Sequence, residues 1–233
     1  FAHRLMKDSP RKEILSKIAQ AIREVELPHP VRVGIDGLSA SGKTIFADEL
    51  GEVLQEDGKK VVRAGLDGFH NPPEIRHRQG LMSVEGYVDD SFDYLAVREK
   101  VLQPLGPGGD RRYAPEIFDH QKGEAKTVEL KNAPEDAILL FEGVMLFRKE
   151  LVDFFDFRVL VMCSVVVILE RAKVRDLEHF GSLETLLKKY ENRFLPGQKK
   201  YLSENQPAQV ADVIFFNDDP EHPSISLPNG KKG

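Results

Sequence analysis

The sequence of 233 residues holds a single cysteine, Cys163, and no tryptophan. One thiol excludes an internal disulfide framework and a multi-thiolate zinc site, and it fits a reducing compartment, so a cytoplasmic location is expected. Long apolar runs are missing too. The longest, Val159 to Leu169, contains Ser164 and falls well short of the ~20 residues a membrane-spanning helix needs, so no membrane association is expected. Positive charge is in deficit: 33 Lys and Arg against 38 Asp and Glu leave a net charge of -5. No chain-wide field exists to hold nucleic acid or an anionic membrane. Repeats and low-complexity tracts are absent, which excludes arrays and long linkers. No charged-then-apolar export signal opens the sequence, which begins at Phe1 instead of Met. What is present, 41% hydrophobic and 30% charged residues, suits one compact domain over residues 1–233, and a homo-oligomer is compatible with it.

Along the chain, Ile14, Ile18, Ile22 and Val25 follow Ser9-Pro10, a start signal and helical spacing that predict an amphipathic helix from Pro10 to Glu26. Val31 to Asp36 is a β-branched run closed by a glycine-rich turn, and Phe46, Leu50, Val53 and Leu54 then fall at helical spacing up to Gly58. Further strands are expected at Lys60 to Leu66, Ala137 to Phe141, Phe157 to Cys163 and Val210 to Phe216. Their apolar character does not alternate, which predicts strands covered on both faces in a mostly parallel α/β sheet flanked by helices. A long connection, about residues 68–135, contains one helical stretch from Asp93 to Leu102 and is expected to carry recognition. A charge-rich helical stretch, about 170–201, fits a lid and equally fits two solvated surface helices.

Gly37 to Thr44 reads GLSASGKT, the Gly-x-x-x-x-Gly-Lys-[Ser/Thr] pattern placed between an expected strand and an expected helix. Glycines let successive N–H groups turn inward on phosphate oxygens at the positive end of the helix. Gly37, Ser39, Ala40, Ser41, Gly42, Lys43 and Thr44 are therefore the expected ATP-binding residues. Lys43 would add a point charge at the β- and γ-phosphates, and Thr44 a hydroxyl for Mg²⁺. Such a site also needs a carboxylate at a neighbouring strand end. Asp67, in LDGFH, and Glu142, in LLFEG, both qualify. Neither an Asn-Lys-x-Asp guanine reader nor a Leu-Ser-Gly-Gly-Gln transporter signature occurs. An acid directly after the second strand suits a general base for an acceptor hydroxyl, which favours a small-molecule kinase.

On these residues the chain resembles the uridine kinase, phosphoribulokinase and pantothenate kinase group of P-loop kinases. The matching stretches are GIDGLSASGKT, LDGFH, DSFDY, FEG and ADVIF, spanning about Val31 to Asn217, and the likeness is greatest to uridine kinase-like proteins. The resemblance implies a three-layer P-loop NTPase fold with a helical lid. It implies Asp67 as the acceptor-hydroxyl base, Thr44 and Glu142 as the Mg²⁺ side, and Lys43 on phosphate. Arg171 and Arg175 stand in the lid, four residues apart and so on one helix face, as charges gripping phosphates need. Two departures bear on the acceptor. Val88-Asp89-Asp90-Ser91-Phe92-Asp93 lacks the His-Pro of uridine kinases, and the lid's arginine spacing is one residue longer, with two arginines missing. Phe118-Asp119-His120 matches the aromatic-x-His segment of pantothenate kinases about as well as the uridine kinase acceptor loop.

The expected activity is transfer of the γ-phosphoryl of ATP, with Mg²⁺, to a hydroxyl of a small metabolite, first of all the 5′-hydroxyl of uridine or a related nucleoside. A flat ring can stack on aromatics and pair with histidine, and Asp67, Phe69, Tyr87, Phe118 and His120 are the expected acceptor contacts. The alternatives are a pantothenate or sugar kinase of the same fold, or a non-catalytic nucleotide-binding regulator. Arg76, Arg78, Arg111 and Arg112 of the long loop could gather an anionic substrate or only solvate the loop, with the solvated reading slightly ahead, and His70 and His77, which lack metal-ligand spacing, are read as solvated.

Overall fold

The computed structural model describes residues 9–119 and 122–228. Helix α1 (Pro10–Arg23) starts where Ser9 accepts the Lys12 N–H at 3.2 Å and where Pro10 occupies the first turn, a position at which its missing donor costs nothing. Strand β1 (Val31–Gly37), α2 (Lys43–Glu56) and β2 (Val61–Gly65) follow. After the long connection, with α3 (Val84–Asp90) inside it, come β3 (Ile138–Gly143), β4 (Phe157–Met162) and α4 (Val165–Arg175). Helices α5 (Leu183–Lys189) and α6 (Leu195–Asn205) are joined by a π-helical turn, Tyr190–Phe194, and β5 (Val213–Phe216) and β6 (Ser224–Ser226) close the described chain.

The sheet runs β6-β5-β4-β1-β3-β2, with β1 to β5 parallel and β6 antiparallel to β5. Its inner strands β1, β3, β4 and β5 are buried on both faces along most of their length, as their apolar runs require, whereas the edge strands β2 and β6 are half-buried to exposed. Ile138 and Leu140 of β3 pack with Val33, Ile35 and the inner faces of α1 and α2. Leu139 and Phe141 pack the opposite way, against Phe69, Val97, Leu102 and Phe155 of the connections. That second layer explains Gly34: a Cβ there would stand 2.7 Å from Cγ of Phe155. Arg32, beside it, is buried and clasped by Asp156, Nε to Oδ2 and Nη2 to Oδ1 both at 2.9 Å, a two-pronged pairing that compensates its lost hydration.

Two elements differ from expectation, the fifth strand and a helix in the long connection. The fifth strand begins at Val213 because Pro207–Val210 is a helical turn. The helical stretch expected from Asp93 to Leu102 is present, a helical turn Tyr94–Val97 capped by Asp93 and continued by a π-helical turn, Arg98–Leu102. Helix α3 was not foreseen although Ser83 caps it, accepting the Gly86 N–H at 2.9 Å, because acids crowd its few apolar positions. The lid region is helical, and Ile168, Ala172, Leu186 and Tyr190 pack around Ala40, which seats it on the turn after β1. Among the described residues no helix is long and apolar enough to cross a membrane.

Candidate active site

Strand β1 lies between β3 and β4, so the turn that leaves it at Gly37 opens at the carboxyl edge of the sheet, where α/β folds take ligands. The turn passes through Ala40 at φ 60° and Gly42 at φ 92°. A side chain on Gly42 would be strained in that left-handed conformation and would meet Nδ2 of Asn217 at 2.6 Å. Asn217 donates to the Ser41 carbonyl at 2.8 Å and itself accepts from Nη1 of Arg11 at 2.9 Å. The back of the loop is therefore held from behind, and three of its N–H groups are engaged within the protein, Gly37 by Oδ1 of Asp36 at 2.7 Å, Ser39 by Gln198 and Ser41 by the Leu38 carbonyl at 3.1 Å.

In front lies a cleft of about 630 Å³ lined by Ser39, Lys43, Thr44, Asp67, Glu142 and Arg175 among others. Register places Glu142 opposite Ile35 of β1 and Gly65 of β2, and Asp67 follows β2 in a short helical turn, Leu66–Phe69. The Thr44 hydroxyl donates to Oε2 of Glu142 at 2.9 Å. Burial raises the Glu142 pKa, opposed by the Thr44 hydrogen bond and by the charges of Arg63 and Lys43. Lys43 donates from Nζ to the Leu38 carbonyl at 2.8 Å. Burial lowers its pKa, and the carboxylates of Glu142, Asp36 and Asp67 pull it back up.

A second chamber of about 460 Å³ adjoins the first, sharing Ser39, Asp67, Val144 and His179 with it. Its walls include His70, Tyr87, Phe92, Phe194 and Arg193. His70 and Phe92 pack at a tilt of 48° with ring centroids 4.5 Å apart, and Tyr87 and Phe194 lie 5.1 Å apart. Gln198, buried, joins the chambers: its Oε1 accepts the Ser39 N–H at 3.2 Å and its Nε2 donates to the Tyr87 hydroxyl at 2.9 Å.

The residues expected on phosphate, Gly37 through Thr44, form one turn, and Asp67, Glu142 and Arg175 meet it across the cleft. The two lid arginines part company. Arg175 lines the cleft, paired with Asp176 at 2.6 Å and donating to the Tyr190 hydroxyl at 3.3 Å; burial pushes that phenol up to about 12. Arg171 instead donates to the carbonyls of Ser41 at 3.2 Å and Asn217 at 2.6 Å. Here it braces the loop from behind and does not face the cleft. Of the expected acceptor contacts, Asp67 and Tyr87 line the second chamber. Phe69 does not: it is fully buried against Phe141, centroids 6.3 Å apart. Phe118 is buried in a two-residue strand paired with Glu124–Ala125, so both rings are core. His120 lies outside the described residues. Sequence reasoning passed over His70, His77, His179, Lys189 and Arg193 as chamber walls, and of the loop arginines it weighed for an anionic substrate Arg76 lines the chamber. For His70 a signal existed, its place three residues after Asp67, which returns its Nδ1 to 2.9 Å from the Asp67 carbonyl.

Fold and loop together define a P-loop nucleotide site at a parallel sheet edge. The phosphoribulokinase / uridine kinase family matches residues 32–218, and the chain belongs to that family. It is a small-molecule kinase. Similar proteins include uridine-cytidine kinase B of Dictyostelium discoideum, 30% identical over 80% of this chain and 74% of its own length. A uridine kinase of Brevibacillus brevis is 28% identical over 80% of this chain and 85% of its own. The structure of a possible uridine kinase from Bacillus stearothermophilus superposes with a TM-score of 0.68 at 24% identity, covering 88% of this chain and 96% of that one, a likeness of fold.

Proposed function

We propose that the protein transfers the γ-phosphoryl group of ATP to a hydroxyl of a small metabolite held in the second chamber, with a nucleoside 5′-hydroxyl as the first acceptor to test. The observation that carries this is the position of Asp67, on the wall that the nucleotide cleft and the aromatic chamber share. A hydroxyl reaching through from the chamber meets a carboxylate at the point where the transferring group sits, as a general base requires. The aromatic walls and the uridine kinase relatives support a nucleoside.

In this reading the turn's remaining N–H groups and those at the start of α2 hold the phosphates, and Lys43 leaves Leu38 for a phosphate oxygen. Thr44 and Glu142 would hold Mg²⁺. A hydroxyl bonded to a carboxylate supplies hard oxygen donors, and no group of three or more His, Cys, Asp or Glu able to hold a metal occurs among the described residues. That set fits a cation that keeps most of its shell as water and phosphate oxygen. When bound, Mg²⁺ neutralises charge developing on the phosphoryl oxygens. Arg175, on the lid, adds a second cation, and Gln198 and Tyr190 fix the lid against the turn.

An acceptor panel assayed for ADP release tests the reading. Uridine or cytidine should stimulate release more than pantothenate or hexoses do. Stimulation by pantothenate or a hexose alone would leave the kinase chemistry and remove the nucleoside, and ATP binding without product from any acceptor would favour a regulator.

A further inference from the structure

Among the described residues the two other fully buried arginines each have a carboxylate beside them: Arg11 meets Glu49 at 2.7 Å and Arg32 meets Asp156 at 2.9 Å. The second chamber breaks that rule. Arg193 is only 6% exposed, and among the described residues no acid pairs with it and neither Nη makes a hydrogen bond. It has a long bond from Nε to the Ser83 carbonyl, 3.4 Å, and the rings of Tyr87 and Phe194 at 5.5 and 5.8 Å. Nearby, Nε of Arg76 is buried without a partner, and Lys189 has only the Leu81 carbonyl, at 2.9 Å. His77 completes the group; burial lowers its pKa, and the charges of Arg193, Arg76 and Lys189 lower it further. All four line the chamber, and its only lining carboxylate among the described residues is Asp67, on the wall shared with the nucleotide cleft.

Three cations converging on a partly desolvated space without a counterion are costly unless something negative enters. We infer that the acceptor carries an anionic group, a carboxylate or a phosphate, at the end remote from the hydroxyl that is phosphorylated. The inference rests on the second chamber being the acceptor site. Asp67 lies on the wall shared with the nucleotide cleft, whereas Arg76, Lys189 and Arg193 line the second chamber alone, so the chamber orients such a molecule: hydroxyl toward the γ-phosphate, anion toward the guanidinium forks, which suit planar or tetrahedral oxyanions. A neutral nucleoside satisfies the aromatic walls and leaves the charges unanswered.

Charge-matched acceptor pairs test this: orotidine against uridine, ribulose 5-phosphate against ribulose, glycerate against glycerol, pantothenate against panthenol. In the pair that is turned over, the charged member should be preferred in kcat/KM by on the order of a hundredfold. Lys189→Gln or Arg193→Gln should reduce that preference to a few-fold with the KM for ATP unchanged. Lys189 is half-exposed, so its variant serves if Arg193→Gln does not fold. Equal use of both members, or preference for the neutral one, overturns the inference. Calorimetry reads the site without turnover. With a non-hydrolysable ATP analogue and Mg²⁺ saturating the first cleft, inorganic phosphate should bind wild type and bind Lys189→Gln on the order of tenfold more weakly. Absent or unchanged phosphate binding refutes the anion site, whereas phosphate binding without transfer to any acceptor would refute the kinase assignment alone.

Discussion

Lys43→Met removes the ammonium while keeping most of the side chain's volume, and the consequences can be worked from its neighbours. Its Nζ rests on the Leu38 carbonyl, and three carboxylates, Glu142, Asp36 and Asp67, act on it electrostatically. Two effects follow. Loss of one preorganised cation from the transferring phosphate should cost about 3 kcal/mol of transition-state stabilisation, a fall in kcat/KM on the order of a hundredfold or more. The second concerns pH. Burial already raises the Glu142 pKa and Lys43 opposes the rise, so without Lys43 the carboxyl titrates higher still. Activity that needs ionised Glu142 is present above its pKa and lost as pH falls through it, so the acid limb of the pH–rate profile should move upward in the variant. The assay is coupled ADP release with the best acceptor of the panel across pH, with circular dichroism to show that the variant is folded. Wild-type turnover, or an acid limb that stays in place despite reduced turnover, would refute the respective part of the reasoning.

Asp67→Asn keeps size and most hydrogen bonding but cannot take a proton; kcat should fall by about 10²–10⁴-fold while calorimetric ATP affinity stays near wild type. Arg11→Ala strands buried Glu49 and frees Asn217, which pins the phosphate turn. Stability should drop by about 3–5 kcal/mol, and the Tm in a thermal melt by ~6–20 °C. Gly34→Ala drives a methyl into the Phe155 ring, and urea denaturation should show a loss of about 1–3 kcal/mol.

Much of the scaffold was legible because both-face burial forces strands such as Leu139-Leu140-Phe141 into unbroken apolar runs, and because the phosphate turn depends on local residue types. Strand β6 was not, since Ser-Ile-Ser carries one apolar residue and is made a strand by β5 alone. Aromatics of the long connection were the harder problem. Phe69 and Phe118 are as apolar as Phe92, and which ring becomes core and which becomes chamber wall is decided by packing between distant segments. Charge misled in the same way. Lys189 and Arg193, four residues apart, look like a solvated face until α3 and the residues before it close over them. Arg171 and Arg175 show the same four-residue spacing, yet one braces the phosphate turn from behind and the other lines the cleft.

The π-helical turn at Tyr190–Phe194 makes helical phase part of the recognition surface. A π turn holds more residues than an α turn, so α5 and α6 stand about one residue, or ~100°, out of continuous α phase. The α6 half is fixed in rotation by buried bonds: Gln198 to Ser39 and Tyr87, and the Tyr201 hydroxyl to Asp36. Deleting one residue from the turn would restore α phase only by rotating α5 against that anchor, carrying the Lys189 ammonium off the chamber wall. The acceptor end of this protein is thereby more exposed to a change of length than to a change of composition: a single deletion could undo what many substitutions along the same helix would leave standing.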